Sequence, residues 1–267
     1  MGAGQHEDGA APVIFPQTGV PAPDPSADRV YIAKSGVTIY TRAGGNVGQL
    51  KATFPTPQGF SPNPAAYGVL VNPVSGYVLA LMNNGVPGSN NSSYVQYFAP
   101  GSQQPISVPG YFSFITDIAF AANGDAYISY SISKNQEAIQ WLSPTGQERG
   151  RLAGLTGLLA LDEGERRLWV SFGASLAAVS LDSLALQGFW QGPAPIEQLI
   201  FDPGRRQFYG LARDRPAVVV LPLASLAPQK PRFQASAAPT TDELATHALA
   251  FDPAGEWLYV NAGGVLY

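Results

Sequence analysis

The stretch HALAFDPAGEWLYVNAGGVLY, residues 247–267, decides the reading of the fold. An apolar run ends at Asp252-Pro253-Ala254-Gly255, and a second run rich in Tyr, Val and Leu follows at once. Proline fixes φ for a tight turn, glycine takes a dihedral that other residues resist, and the flanking alternation suits half-buried strands. The stretch therefore predicts a β-hairpin. Looser copies are VLVNPVSGYVLAL (69–81), IAFAANGDAYISY (118–130), LLALDEGERRLWVSF (158–172) and LIFDPGRRQFYGLA (199–212). Such a hairpin cannot bury its own apolar face, so the copies are expected to stack. Their turn glycines, Gly76, Gly124, Gly164, Gly204 and Gly255, lie 48, 40, 40 and 51 residues apart. That spacing brackets the repeat of a four-stranded propeller blade.

Two further short apolar runs separate the hairpins. One set is VTIYTR (37–42), YVQYFAP (94–100), AIQWLSP (138–144), LAAVSL (176–181) and AVVVLPL (217–223). The other is QLKATFP (49–55), QPISVPG (104–110), RLAGL (151–155), LQGFWQG (186–192) and KPRFQAS (230–236). Starting from the second set, each unit reads as inner strand, hairpin pair, outer strand. The expectation is an all-β protein, a β-propeller of six four-stranded blades, with five or seven as the alternatives. The first unit, DRVYIAKSGVTIYTR (28–42), supplies two strands only. It leaves the first blade incomplete at the N-terminus, to be completed by APVIF (11–15). Residues 1–28 read as a flexible acidic leader and linker, and residues 29–267 as the propeller domain.

The segment FDPAGEWLYVNAGG (251–264) resembles the hairpin of YVTN-type, NHL-like propeller repeats, with Leu258-Tyr259-Val260-Asn261 in the place of the family's Tyr-Val-Thr-Asn. LWVSFG, FYGLAR and AYISYS keep only the apolar frame. The resemblance implies a propeller used as an exported binding module. It also admits an enzymatic relative, the lactonase-like propeller.

Composition narrows the chemistry. With 29 glycines and 24 prolines the chain is built for turns, and without cysteine it has neither disulfides nor thiol nucleophiles. The leader carries Glu7, Asp8, Asp24 and Asp28 and no base, which accounts for the whole net charge of −4 and leaves the body neutral. A neutral body lacks the cationic surplus that nucleic acid binding needs. No acid falls between Asp28 and Asp117, a region filled with Asn, Ser, Gln, Gly, Pro and Tyr, so paired carboxylates must come from later units. That surface points to an extracytoplasmic location, periplasmic, secreted or lipid-anchored. No apolar run reaches membrane-spanning length, and MGAGQHEDGAAP has no signal-peptide pattern. Asn90 and Asn91 form sequons in a loop.

No catalytic constellation emerges, and no metal or cofactor is expected. Of two histidines, His6 is in the leader, and His247 with Asp242 and Glu243 reads as a polar loop entering a strand. Ser131-Ile132-Ser133-Lys134 has the Ser-x-x-Lys spacing but follows a strand where the chemistry needs a helix. Asp162, Asp202 and Asp252 recur at one place in three units, as turn-capping residues rather than a ring of cation ligands. Arg166-Arg167 and Arg205-Arg206 occupy what read as equivalent turn positions, on the face of the connections between blades. Arg166, Arg205 and Arg206 are candidates to grip an anion or acidic partner; the plainer reading is a solvated turn screened by Glu163 and Glu165.

The other face carries aromatic residues in the loops joining inner strands to hairpins. Phe60, Tyr67, Tyr111, Phe112, Phe114 and Trp190 form a candidate cup for a peptide or sugar, or else fill the wedges between blades. The function expected is a non-enzymatic binding or scaffold module for a protein or carbohydrate partner, with no nucleic acid partner and no transmembrane segment. A lactonase-like hydrolase is one alternative, in which late acids or Arg205 supply a polar cluster at a channel mouth. A structural module within a larger extracellular protein is the other.

Overall fold

The computed structural model describes residues 21–24, 29–33, 37–41, 46–50, 65–83, 93–107, 111–112, 114–133, 136–192, 195–213, 218–225, 228–229, 248–251, 258–262 and 265–266. Their strands form six sheets. The first runs β1 (Pro21–Asp24), β2 (Arg29–Ala33), β3 (Val37–Thr41), β4 (Asn46–Leu50). The second is β5 (Ala65–Val71), β6 (Val78–Asn83), β7 (Ser93–Phe98) and β8 (Pro105–Ser107), with β9 (Tyr111–Phe112) also on β7. The third is β10 (Phe114–Phe120), β11 (Ala126–Ser133), β12 (Gln136–Leu142), β13 (Glu148–Ala153). The fourth is β14 (Leu158–Asp162), β15 (Arg167–Phe172), β16 (Ser175–Ser180), β17 (Leu186–Gln191). The fifth holds β18 (Ile196–Asp202), β19 (Gln207–Ala212) and β20 (Val218–Pro222). After a 3-10 turn at Leu223–Ser225, β21 (Pro228–Gln229) joins the edge strand β17 of the fourth sheet. The sixth is β22 (Ala248–Phe251), β23 (Leu258–Ala262), β24 (Val265–Leu266).

Alternation within strands builds the core. Side chains of a strand point to opposite faces by turns, and here both faces of the middle strands are buried. In β6, Val78, Ala80 and Met82 pack on the first sheet with Tyr31 and Val37, while Leu79 and Leu81 pack on the third with Ile118 and Ile128. In β15, Leu168 and Val170 meet the third sheet, and Trp169 meets the fifth against Phe208 and Leu221. The four largest apolar clusters among the described residues thus each fill a wedge between two consecutive sheets, while a small fifth one, Ile200 and Leu211, stays within the fifth sheet. The first strands of consecutive sheets also lie beside one another: β1 by β5, β10 by β14, β14 by β18, β18 by β22. The fourth strands β13 and β17 alternate only between half-buried and exposed.

Two expectations are corrected by this topology. The hairpin supplies the first and second strands of each sheet, not the second and third. QPIS pairs with the strand before it, and RLA and LQGFWQ likewise close the sheet they follow. The units are therefore shifted by one strand from the sequence reading. The first sheet also has four strands, its first being Pro21–Asp24, inside the stretch read as linker. Residues 11–15 lie outside the described residues. Asp24 stands opposite Arg29 as Asp162 stands opposite Arg167 and Asp202 opposite Gln207, so β1 and β2 pair in the register of the other first and second strands.

Candidate functional site

Antiparallel order places the turns between first and second strands, and between third and fourth strands, at one end of every sheet. At this end neighbouring hairpin turns are tied together in succession. Asn72 Oδ1 caps its own turn by accepting the N–H groups of Val74 and Ser75 at 3.0 and 3.1 Å, and its Nδ2 donates to the Gly124 carbonyl of the third sheet at 2.7 Å. The third-sheet turn donates Ala122 N–H to Glu163 of the fourth at 2.7 Å. Asp162 accepts Glu165 N–H at 3.2 Å and takes Arg206 Nη1 of the fifth sheet on both oxygens, at 3.1 and 2.9 Å.

Within sheets the same end is paired again. Arg166 donates to Asp182 at 2.7 Å and lies 3.4 Å from Glu163, Arg149 donates to Asp125 at 2.9 Å, and Arg151 to Glu148 at 3.1 Å. Arg205 donates to Asp202 at 3.1 Å, and Arg167 lies 4.0 Å from Glu165. Hydrogen bonding to Asp182 raises the pKa of Arg166, and bonding to Asp202 raises that of Arg205. Asp162 and Asp202 do act as turn caps: the Arg205 N–H donates to Asp202 at 2.9 Å.

The equivalence of the arginines also needs correction. Arg166 and Arg206 share the left-handed backbone, both at φ 53°, and their carbonyls accept the N–H of Leu181 and Leu223. The matching positions are thus Arg166 with Arg206, forty residues apart like Gly164 and Gly204. A side chain in that region costs roughly 1 kcal/mol that glycine avoids. Arg166 gains only exposed ion pairs there, worth about 0–1 kcal/mol. Arg166→Gly is therefore expected to leave stability within about 0.5 kcal/mol of wild type in urea unfolding.

The other end carries the connections from one sheet to the next, which corrects the expectation that the arginine-bearing hairpin turns share their face. There, Thr116 and Thr156 hydroxyls lie 3.1 Å apart, and Thr156 bonds Ser129 Oγ at 2.9 Å. Ser129 Oγ accepts the Gly157 N–H at 2.8 Å. Asp117 accepts two backbone N–H groups at 2.8 Å, its neighbour Ile118 and Leu159 of the fourth sheet. Asp117 is half-buried as a residue, yet burial of its carboxyl raises the pKa to about 7, the two N–H donors offsetting this only in part. The ionised form is thus disfavoured in the folded state. Its contribution to stability is fully present below the unfolded pKa near 4 and is lost as pH rises through 7. Between pH 5 and 8 the wild type should lose about 2 kcal/mol more than Asp117→Asn, read from denaturation midpoints at each pH. Parallel pH profiles would refute this.

At the same end, the first strands of the second, third and fifth sheets each carry a bulge, at Tyr67, Thr116 and Glu197. Sequence reasoning missed Thr116, Asp117 and Glu197, whose only signal was polarity at the head of an apolar run. Of the aromatic candidates, Tyr67 is at a bulge and Phe114 begins β10. Tyr111 and Phe112 continue the outer edge of the second sheet, opposite Tyr94 and Ser93. Trp190 is in the outer strand β17 and packs on Trp169 with centroids 5.0 Å apart, so it fills a wedge. Phe60, Lys134, Asp242, Glu243, His247, Asp252 and the sequons lie outside the described residues. Among the described residues, no group of three or more His, Cys, Asp or Glu is placed to hold a metal, and no helix is long and apolar enough to cross a membrane.

No family model matches the chain, and no curated protein matches it. Solved structures do. A chain of hydrazine synthase from Kuenenia stuttgartiensis superposes with a TM-score of 0.54 at 11% identity, over 74% of this chain and 69% of that one. A chain of a nidogen/laminin complex superposes with a TM-score of 0.52 at 11% identity, over 79% and 77%. Both are known β-propeller structures, and at this identity the likeness concerns fold alone. With stacked antiparallel sheets whose first strands adjoin, the chain has the β-propeller fold.

Proposed function

We propose that this propeller, read as six blades, is a binding module that meets a protein partner through the end of its sheets opposite the hairpin turns. One observation carries the reading. At the turn end of the third to fifth sheets, Arg149, Arg151, Arg166, Arg167, Arg205 and Arg206 are all engaged by carboxylates of the chain itself. Charges already paired and bonded to neighbouring turns offer little to an acidic partner. At the opposite end, among the described residues, Tyr67, Thr116 and Glu197 stand at bulges in the first strands. Bulges redirect side chains and commonly accompany binding sites. The nidogen/laminin neighbour supports the reading, since there a propeller fold occurs in a complex between proteins. The neutral, Asn- and Tyr-rich body supports export.

The test is binding of the whole chain to arrays of extracellular proteins and of glycans, followed by affinity measurements on any protein captured. Tyr67→Ala and Glu197→Ala are expected to weaken binding about tenfold, and Arg151→Ala and Arg205→Ala to change it less than about twofold. Equal losses from both sets would reject the assignment of the face. A glycan signal alone would replace the partner class. Lactone turnover abolished by Asp117→Asn would replace the binding module by a hydrolase.

A further inference from the structure

We infer that Asn123 is a modification site, a latent deamidation centre whose reaction waits for the third-sheet hairpin turn to open. The chain holds Asn-Gly twice, at Asn84-Gly85 and Asn123-Gly124. Asn84 and Gly85 lie outside the described residues, while Asn123 is exposed in the turn between β10 and β11. Glycine has no side chain to shield its amide nitrogen, which makes this pair the one most open to the reaction. The Gly124 nitrogen loses its proton to water and attacks Cγ of Asn123. The new C–N bond closes a cyclic imide, and the carboxamide nitrogen leaves as ammonia with a proton from water. Water then opens the imide at either carbonyl, giving aspartate or isoaspartate.

The folded turn withholds the reacting atoms. The Gly124 N–H donates to the Ala121 carbonyl at 2.8 Å. The carboxamide is held at both ends by Asp125: Asn123 Oδ1 accepts the Asp125 N–H at 3.0 Å, and Nδ2 donates to Asp125 Oδ2 at 3.0 Å. Both neighbouring sheets brace the turn, Asn72 Nδ2 on the Gly124 carbonyl and Glu163 on the Ala122 N–H, each at 2.7 Å. Attack therefore needs the turn open, and its rate follows the open fraction. The product does not refit. Asp125 is 1% exposed, and its Oδ2 already accepts Trp141 Nε1 and Arg149 Nη1 at 2.9 Å each. A carboxylate at position 123 replaces a donor to that oxygen by a like charge. Isoaspartate adds a carbon to the backbone beside Gly124, which stands at φ 83°. Each event thus weakens the turn that delayed it.

The experiment follows the whole chain at mildly alkaline pH, folded and in urea, with peptide mass mapping of Asn123 and Asn84 over time. In urea the two are expected to convert at similar rates, and in the folded chain Asn123 about tenfold or more slower than in urea. Glu163→Ala removes one brace through an exposed hydrogen bond. It is expected to raise the folded-state rate at Asn123 severalfold and to leave its rate in urea unchanged. Equal rates at Asn123 folded and in urea, or no conversion there in urea, overturn the inference. A rise in Glu163→Ala that Asn84 matches, or no rise, overturns the local gate. Asn123→Asp is expected to unfold at a lower urea concentration than wild type, and an unchanged midpoint overturns the misfit of the product.

Discussion

Gly157→Ala is expected to destabilise the protein by about 3 kcal/mol or more, lowering the thermal midpoint by roughly 10 °C. The cause is a close approach of backbone to backbone. A Cβ at residue 157 would stand 2.1 Å from the carbonyl oxygen of Ser171, 2.8 Å from its carbon and 3.1 Å from a methyl of Val170. None of these is the free end of a flexible side chain, so the chain must move away from β15. Moving it also pulls the Gly157 N–H from Ser129 Oγ, which links the third and fourth sheets. Gly210 makes the control, because a Cβ there meets first the tip of Ile196, 2.9 Å away, and a side chain can rotate. Gly210→Ala should cost about 1 kcal/mol. Equal losses for the two variants in denaturant unfolding would discredit the backbone argument.

The second large effect is expected at Arg206. Removing its side chain leaves the Asp162 carboxylate, which is buried, without the guanidinium that covers both its oxygens. A buried charge stripped of its partner costs about 3 kcal/mol, more than either group gains from the pair. Asp162→Asn is milder, about 2 kcal/mol, because it leaves a half-exposed arginine with Glu165 still 3.5 Å away. The double variant should be less damaging than the sum by about 1–2 kcal/mol. Arg205→Ala serves as the reference, since its exposed guanidinium pairs with the aspartate of its own turn. If Arg206→Ala and Arg205→Ala unfold at the same denaturant concentration, the tie between the turns contributes nothing.

Much of this architecture was legible from one signal, an acid or amide before a turn and an apolar alternation on both sides of it. The signal failed where its punctuation changed. Asp24-Pro25-Ser26-Ala27 has no glycine, so β1, paired with β2 in the same register as β18 with β19, read as linker. The assignment of strands to sheets failed for a different reason. Alternation reports that a run such as QPIS is a strand but not which neighbour its amides face, and it pairs with Tyr97 and Phe98 behind it. The arginines were aligned by their doublets, whereas the backbone aligns them by the turn, pairing Arg166 with Arg206. Asp117 and Thr116 were illegible because their partners, Leu159 and Thr156, are forty or more residues away. A contact made across a wedge leaves no trace in local sequence.

The short pairing of Pro228 and Gln229 with Trp190 and Phe189 has a consequence for how the molecule opens. The chain leaves the fifth sheet only to return to the rim of the fourth, so the fourth cannot shed its edge until that strap lifts. Amide hydrogen exchange should therefore find β17 and β20 exchanging as one cooperative block, with protection that falls together in denaturant. The third sheet, which has no such strap among the described residues, should release its edge strand β13 earlier and by itself.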